Sequence, residues 1–285
     1  MTTNNLQKLQ SKIFHLLIKV KNYSEEENKG VKKHYLLLRD RIRLSLLLSN
    51  LQSKESGEKS LATHFLNNCY EYLQASKGQI FQDIFALTIA QEKKSGFFVE
   101  FGATNGVKLN NSYLLEAQFS WSGILAEPGR GWQEELATNR KCTIDTRCVF
   151  SKSGEEILFT QHSDPELSGI TNYLGQEANN QLSYAVPTVS LQDLLVENNA
   201  PNLIDYFSID TEGSEFDILN AFDFSKFTFK CITVEHNYHE IVRQKIYQLL
   251  IDNGYQRVLE HISAHDDWYI YSKKLAFSLL VPQVT

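Results

Sequence analysis

The pattern of apolar and polar positions changes near residue 96 of the 285-residue chain. Up to that point apolar residues recur mainly at helical spacing, and the polar stretches NYSEEENKG and QSKESGEKS interrupt them. Beyond it, short apolar runs such as FFVEF, GILAE, DYFSID and CITVEH alternate with helical ones. The sequence therefore predicts a helical region followed by an α/β region with a mostly parallel sheet.

The last two apolar runs differ from the others. YQRVLEHI and DWYIYS are separated only by SAHD, which is too short for a helical crossover, so they are expected to form an antiparallel hairpin at one side of the sheet. Ligands of open α/β sheets bind beyond the carboxyl ends of the strands. The residues that follow each strand are therefore the candidates for a functional site.

The net charge of −6 conceals an asymmetry. Residues 1–95 carry 15 Lys and Arg against 9 Asp and Glu, whereas residues 96–285 carry 13 against 25. The basic residues of the helical region are interpreted as a solvated helical face. The alternative is a surface that binds phosphate, or anionic lipid at the membrane periphery. We also expect these helices to cover the side of the sheet where a substrate binds or to mediate self-association into a homo-oligomer, because their apolar faces need an apolar surface to pack against. We expect no nucleic-acid partner.

Sequence signals for membrane targeting and the spacing of the cysteines narrow the class of protein further. No apolar run approaches the roughly 20 residues that span a bilayer, and no leader-like segment follows Met1, so we expect a cytoplasmic protein without a transmembrane segment. The cysteines show neither a CxxC pair nor zinc-like spacing and are interpreted as buried thiols; they are Cys69, Cys142, Cys148 and Cys231.

Acidic residues follow the predicted strands, in EFGATNG, AEPG, IDTEG and VEHN. Gly102 and Gly106 flank a turn where backbone can approach a ligand, and Glu127 lies 25 residues beyond Gly102, near the spacing at which a carboxylate binds the hydroxyls of a ribose. The G-x-G-x-x-G fingerprint of dinucleotide sites is absent, and Glu100 would repel a pyrophosphate. These features favour S-adenosylmethionine, which combines a ribose with a sulfonium and an ammonium.

Six segments, in this order, resemble the successive motifs of the FkbM-type S-adenosylmethionine-dependent methyltransferases: FFVEFGATNGVKLNNSYLLE, WSGILAEP, VPTVSLQDLL, DYFSIDTEGSEFDILNAFDFSKF, CITVEHN and DDWYIY. The resemblance runs from about residue 78 to about residue 272. It implies a methyltransferase domain at 78–285. It also implies a class I, Rossmann-like sheet of seven strands in the order 3-2-1-4-5-7-6, and O-methylation of a sugar, glycolipid or secondary metabolite. Residues 1–77 lie outside the resemblance, and their apolar pattern predicts a helical N-terminal extension.

The resemblance also implies roles for individual residues. The loop around the methionine part of the cofactor would comprise Glu100, Gly102, Ala103, Asn105 and Gly106, with Asn111 at the start of the next helix. Glu127 would bind the ribose, Pro128 would shape the turn, and the backbone at Cys148 would contact the adenine. The side where the methyl group is delivered would be lined by Asp210, Glu212, Glu235 and His236.

Three mechanisms for removing the acceptor's proton stay open. His236 is the first candidate for the general base because imidazole titrates near neutral pH, and Asp210 is the second. Alternatively, Asp210, Glu235 and His236 would hold Mg or Mn, which would polarise the hydroxyl. His261 and His265 are interpreted as surface histidines.

Two other classes of function stay in view. An NAD(P)-dependent oxidoreductase on a similar sheet is disfavoured by the missing third glycine and by Glu100. A non-catalytic nucleoside-binding module would share the cofactor site without turnover.

Overall fold

The structure is a computed structural model that describes residues 3–25, 40–41, 43–49, 51 and 60–272. The chain forms two compact units. One comprises the described residues up to Ser76 together with Leu259–Ala264, and the other comprises Lys77–Val258 and the described residues from His265 onward. Parts of the predicted helical region, at 26–39 and 52–59, lie outside the described residues.

The first unit is helical where it is described. It contains α1 (Thr3–Glu25), helical residues at 40–41 and 43–49, and α2 (Leu61–Glu71). Ser60 caps α2 by accepting a hydrogen bond from the Thr63 N–H at 3.3 Å. Phe14 of α1 packs on Phe65 of α2, with 6.0 Å between ring centroids, and both side chains are buried.

The second unit is built on β-strands and shorter helices. Its strands are β1 (Phe97–Phe101), β2 (Ser122–Ala126), β3 (Thr143–Asp145), β4 (Cys148–Phe150), β5 (Glu156–Gln161), β6 (Gly169–Ile170), β7 (Leu182–Ser190), β8 (Leu203–Ile209), β9 (Thr228–Glu235), β10 (Tyr255–Val258) and β11 (Asp266–Tyr271). Its helices are α3 (Gln82–Ile89), α4 (Tyr113–Phe119), α5 (Gln133–Asn139), α6 (Thr171–Leu174), α7 (Leu191–Glu197), α8 (Glu215–Asn220) and α9 (Glu240–Asp252), with 3₁₀ turns at Pro165–Leu167 and Gly175–Ala178.

The larger sheet has seven strands in the order β10-β11-β9-β8-β1-β2-β3. Numbered by their own succession along the chain and read from β3, these seven strands run 3-2-1-4-5-7-6. The expected antiparallel hairpin is confirmed, since β10 pairs antiparallel with β11 and β11 pairs antiparallel with β9. Apolar side chains of the central strands form the core, and Val99, Phe207 and Ile232 are each 0% exposed. Burying each of them contributes roughly 1.5 to 3 kcal/mol.

A second sheet of four strands, in the order β4-β7-β5-β6, is absent from the sequence prediction. The run TIDTRCVF and the polar, turn-rich sequence after it have the pattern of a single strand followed by turns, and this interpretation is wrong. The run is divided at Thr146 and Arg147, so β3 joins the large sheet while β4 pairs with β7 in the small one. The described strands therefore number eleven in two sheets rather than seven in one.

The topology brings several strand ends to one edge of the large sheet. The four strands β1, β2, β8 and β9 are parallel neighbours, so their carboxyl ends lie at the same edge. Strand β11 runs the opposite way, and its first residue, Asp266, pairs with Glu235, the last residue of β9. The residue just before β11 therefore reaches that edge too.

Candidate active site

A cavity of about 330 Å³ lies at this edge of the sheet, a size that suits a small molecule. The loops after the central strands and parts of the small sheet line it. Among its lining residues are Gly102, Thr104, Asn111, Glu127, Pro128, Cys148, Phe159, Asp210, Glu212, Glu235, Asn237, Tyr238 and His265.

The charge of the lining is one-sided. Five of the lining residues are acids, namely Glu127, Glu166, Asp210, Glu212 and Glu235. One of these, Glu166, forms an ion pair with Lys108. Among the described residues that line the cavity there is no Lys or Arg. Such a cavity attracts a cationic ligand and repels phosphate.

Glu100, the buried acid of β1, holds the loop that leads into α4. Its Oε1 accepts a hydrogen bond from the Asn111 N–H at 2.7 Å, and its Oε2 accepts one from the Ser112 hydroxyl. Burial raises the pKa of Glu100 to about 7, although the nearby positive charge of Arg140 opposes this rise. Glu100 does not line the cavity, so it acts on the site through the Asn111 backbone.

Glu127, at the end of β2, joins two loops and faces the cavity. Its Oε2 accepts a hydrogen bond from the Thr104 N–H at 2.9 Å, and its Oε1 accepts one from the Gly129 N–H at 2.7 Å. Burial raises the pKa of Glu127 to about 7. Each carboxylate oxygen keeps a second lone pair, with which it can accept a hydrogen bond from a ligand hydroxyl.

The loop after β1 passes very close to the end of β8. Gly102 has a φ of +79°, and a Cβ at this position would lie 2.1 Å from the backbone oxygen of Asp210. Only glycine fits both conditions. The loop also contains the predicted cofactor residues Ala103, Asn105 and Gly106, but these do not line the cavity.

Asn105 has a local role in that loop. Its Oδ1 accepts hydrogen bonds from the N–H groups of Val107 and Lys108, at 3.1 and 2.8 Å. Its side-chain amide donates to Glu135. The amide is therefore committed to holding the loop.

Two acids at the ends of β8 and β9 form a pair. Asp210 and Glu235 are joined by a hydrogen bond between their side chains. Burial raises the pKa of both groups, and the charge of Asp210 raises that of Glu235 further. Two carboxyl groups so close together favour a single shared proton.

His236, predicted from the sequence to line the site, lies outside the cavity lining. Its Nδ1 accepts a hydrogen bond from the Tyr238 N–H at 3.0 Å, and its Nε2 lies 3.9 Å from Oδ1 of Asp267. The side chain is 2% exposed and does not line the cavity. Glu235, the last residue of β9, lines the cavity, whereas the residue directly after the strand does not. The ring of His236 therefore lies outside the cavity lining and apart from Asp210 and Glu235, with which the sequence prediction grouped it.

The structure brings His265 to the cavity instead. The sequence interpretation of His265 as a surface histidine assigned it no place in the site, whereas the structure includes it in the cavity lining. The available signal was its position directly before β11, an antiparallel strand that begins at the carboxyl edge. Its Nε2 lies 3.7 Å from Oδ1 of Asp266, and burial lowers its pKa.

The predicted metal ligands Asp210, Glu235 and His236 do not come together. The described residues offer two other sets, each with ligand atoms within 4.8 Å of one another. One set is Glu235, His265 and Asp266, and the other is Asp210, Glu215 and Glu235. Both contain Glu235, which already shares a hydrogen bond with Asp210.

The fold and the cavity together define an enzyme-like α/β domain whose ligand site lies at the carboxyl ends of the central strands. The family model described as the methyltransferase FkbM domain matches residues 100–277, more than half of the chain. The protein belongs to the FkbM methyltransferase family. The resemblance found in the six sequence motifs is thereby confirmed, and methyl transfer is the reaction class.

Other comparisons add little to this assignment. The chain is similar to the solved structure of a precorrin-6y C5,15-methyltransferase from Geobacter metallireducens GS-15, with 11% identity and a TM-score of 0.35, over 66% of this chain and 85% of that chain. This likeness is too weak to support an argument about function. No curated protein matches the chain. Within the described part of the chain, no helix has both the length and the apolar composition needed to cross a membrane.

Proposed function

We propose that the protein is an S-adenosylmethionine-dependent O-methyltransferase that acts on a hydroxyl of a sugar, glycolipid or secondary metabolite. The observation that carries this proposal is the acidic cavity, which has no lysine or arginine among its described lining residues. S-adenosylmethionine has a sulfonium and an ammonium, and its charge matches this lining. NAD(P) would bring a pyrophosphate against the same carboxylates, so the charge disfavours an oxidoreductase.

Individual lining residues suit parts of the cofactor. Glu127 would accept hydrogen bonds from the ribose hydroxyls, and Pro128 and Cys148 lie beside it in the lining. Burial raises the pKa of the Cys148 thiol to about 12, so this side chain offers an uncharged surface to the adenine. Asn111 and Asp210 would hold the charged amino-acid part.

When bound, the cofactor supplies an activated methyl carbon, and the protein must position the acceptor oxygen and receive its proton. The Asp210–Glu235 pair is the proposed proton acceptor, because it lines the cavity and His236 does not. A carboxylate with a raised pKa is a better base near neutral pH than an ordinary one. Glu212, in the same loop as Asp210, would contact the acceptor.

A divalent ion such as Mg or Mn is a second candidate for activating the hydroxyl. It is supported only by the two ligand sets around Glu235, and the buried acids of both sets already have hydrogen-bond partners. Excess chelator should abolish activity if an exchangeable ion is required, and added Mg or Mn should restore it. Full activity in chelator would dismiss an exchangeable ion.

The experiment that tests the proposal is a transfer assay with ¹³C-methyl-labelled S-adenosylmethionine and a panel of hydroxylated sugars, glycolipids and polyketides. Transfer of the labelled methyl group to one acceptor, with release of S-adenosylhomocysteine, is the expected result. Binding of the cofactor without transfer to any acceptor would favour the non-catalytic module. The roles of the basic helices, at a membrane surface or in self-association, and the cytoplasmic location stay predictions from the sequence.

A further inference from the structure

The rim of the cavity carries an unusually exposed aromatic side chain. Tyr238 lies three residues beyond the end of β9 and lines the cavity, yet the residue is 71% exposed. An exposed tyrosine offers a flat apolar ring together with a hydroxyl. Tyr238 lines the same cavity as Asp210 and Glu235, so an acceptor that reaches these acids can contact its ring.

The backbone that presents Tyr238 is strained. Asn237 and Tyr238 have φ values of +43° and +59°, and two consecutive left-handed residues without glycine are costly. His236 holds them in place: its Nδ1 accepts the Tyr238 N–H at 3.0 Å, and its backbone oxygen accepts the His239 N–H at 2.7 Å. The rings of His236 and Tyr238 meet edge to face, with 5.7 Å between centroids. The buried histidine therefore fixes the direction of an exposed tyrosine.

The residue before Tyr238 connects two acids of the cavity lining. The Asn237 amide donates to Oε2 of Glu235 at 2.8 Å and to Oε2 of Glu212 at 3.4 Å. Each of these carboxylates can accept further hydrogen bonds from hydroxyl groups. The Tyr238 ring and the Glu212 carboxylate thus line the same cavity as the proposed proton acceptor.

We propose that Tyr238, Asn237 and Glu212 form the acceptor site, and that the acceptor is an uncharged sugar ring with free hydroxyls. This inference rests on the proposed function and narrows its acceptor class. The C–H face of a pyranose packs against an aromatic ring, and its hydroxyls need acceptors at the ring edge, which the two carboxylates supply. Sugar phosphates and other anionic acceptors are repelled by the same carboxylates.

The test is saturation-transfer NMR with neutral methyl glycosides (gluco, galacto, manno and rhamno) and with glucose 6-phosphate. Each is added to the full-length protein with and without S-adenosylhomocysteine. Three variants are compared: Tyr238→Phe keeps the ring, Tyr238→Ala removes it, and Ile241→Ala is the matched control. Ile241 is 78% exposed on the neighbouring helix α9 and lies outside the cavity lining. Melting curves accompany each variant.

At least one neutral glycoside should bind the wild type, with saturation of its ring protons, and glucose 6-phosphate should bind more weakly. Tyr238→Ala should weaken glycoside binding about tenfold or more, whereas Tyr238→Phe and Ile241→Ala should bind within about twofold of wild type. S-adenosylhomocysteine affinity should be the same in all four proteins.

Other outcomes separate the two proposals. Cofactor binding with no glycoside binding, glycoside binding that survives Tyr238→Ala, or preference for the phosphate would each overturn the sugar site alone. Glycoside binding without any binding of S-adenosylhomocysteine would contradict the proposed function and leave the sugar site standing. Loss of cofactor affinity in Tyr238→Ala would assign the tyrosine to the cofactor and overturn its role at the acceptor.

Discussion

Replacement of Glu127 by glutamine tests the ribose contact most sharply. In the free protein the Glu127 carboxylate accepts backbone hydrogen bonds at 2.9 and 2.7 Å. Alanine would leave both N–H groups without their partner, whereas glutamine keeps the shape and one acceptor oxygen. A hydrogen bond to a charged group contributes about 1.5 to 3 kcal/mol and a neutral one about 1 kcal/mol, so the variant should lose about 0.5 to 2 kcal/mol of the free energy of cofactor binding.

This loss corresponds to a rise of about 2- to 30-fold in the Kd for S-adenosylmethionine. Titration calorimetry at pH 8 is the assay, because the pKa of Glu127, raised to about 7 by burial, leaves the group mostly ionised there. The difference between wild type and variant should shrink at pH 6, where both side chains are largely uncharged.

A control variant separates this contact from general charge effects. Glu134→Gln makes the same change on an exposed residue of α5, outside the cavity lining, and should leave the Kd within about twofold of wild type. An unchanged Kd in a folded Glu127→Gln protein would remove Glu127 from the ribose site. An equal effect of Glu134→Gln would reduce the result to long-range electrostatics.

Three further predictions follow from the geometry. Gly102→Ala should cost about 1 to 3 kcal/mol more stability than Gly154→Ala. Both glycines have a positive φ, but only at Gly102 would the new Cβ collide with another atom, the Asp210 backbone oxygen. Chemical denaturation of both variants measures the two losses of stability, and equal losses would refute the prediction. Burial raises the pKa of the Cys148 thiol to about 12, so Cys148 should resist alkylation at pH 8 until the protein is unfolded. Peptide mapping after alkylation measures this, and rapid labelling of the native protein would contradict the burial of Cys148. The carboxyl of Glu127 has a pKa of about 7 in the folded protein against 4.5 when unfolded, so between these pH values it binds more protons in the folded state. The stability of the ligand-free protein should therefore fall as pH rises from about 4.5 to about 7. Glu127→Gln should flatten that decline, and an identical slope in the variant would refute the pKa shift.

The strands and the position of the site could be predicted because both depend on local pattern. The apolar runs of β1, β2, β8 and β9 are long enough to indicate buried strands, and acids directly after them must lie at the carboxyl edge. Glu127 and Asp210 were predicted on that basis, and both line the cavity.

The positions of His236 and His265 relative to the cavity depend on strand pairing as well as on local pattern. The direction of a side chain after a strand depends on the register of that strand, and His265 reaches the cavity only because Asp266 pairs with Glu235. Local pattern does not determine which residues pair across a hairpin with an intervening segment. The hydrogen bonds of Glu100 to Asn111 and Ser112 could not be predicted for a related reason. The loop after β1 brings these two partners to Glu100, and their spacing along the chain does not indicate this.

The small sheet was missed because its strands carry weak patterns. The burial of β5 alternates imperfectly, and β6 has two residues, so neither shows the continuous apolar run of a central strand. Strand β7 contains Pro187, which argues against a central strand, yet it pairs on both sides. Tertiary pairing outweighs local preference here.

The central claim is that the acidic cavity selects a cationic nucleoside cofactor, and competitive calorimetry on the full-length protein tests it most directly. S-adenosylmethionine, S-adenosylhomocysteine and NAD are titrated separately, and each is then titrated in the presence of another. The account predicts that S-adenosylmethionine binds with one-to-one stoichiometry, that S-adenosylhomocysteine displaces it, and that NAD gives no measurable heat and displaces neither. Saturable binding of NAD together with no binding of S-adenosylmethionine would contradict the account.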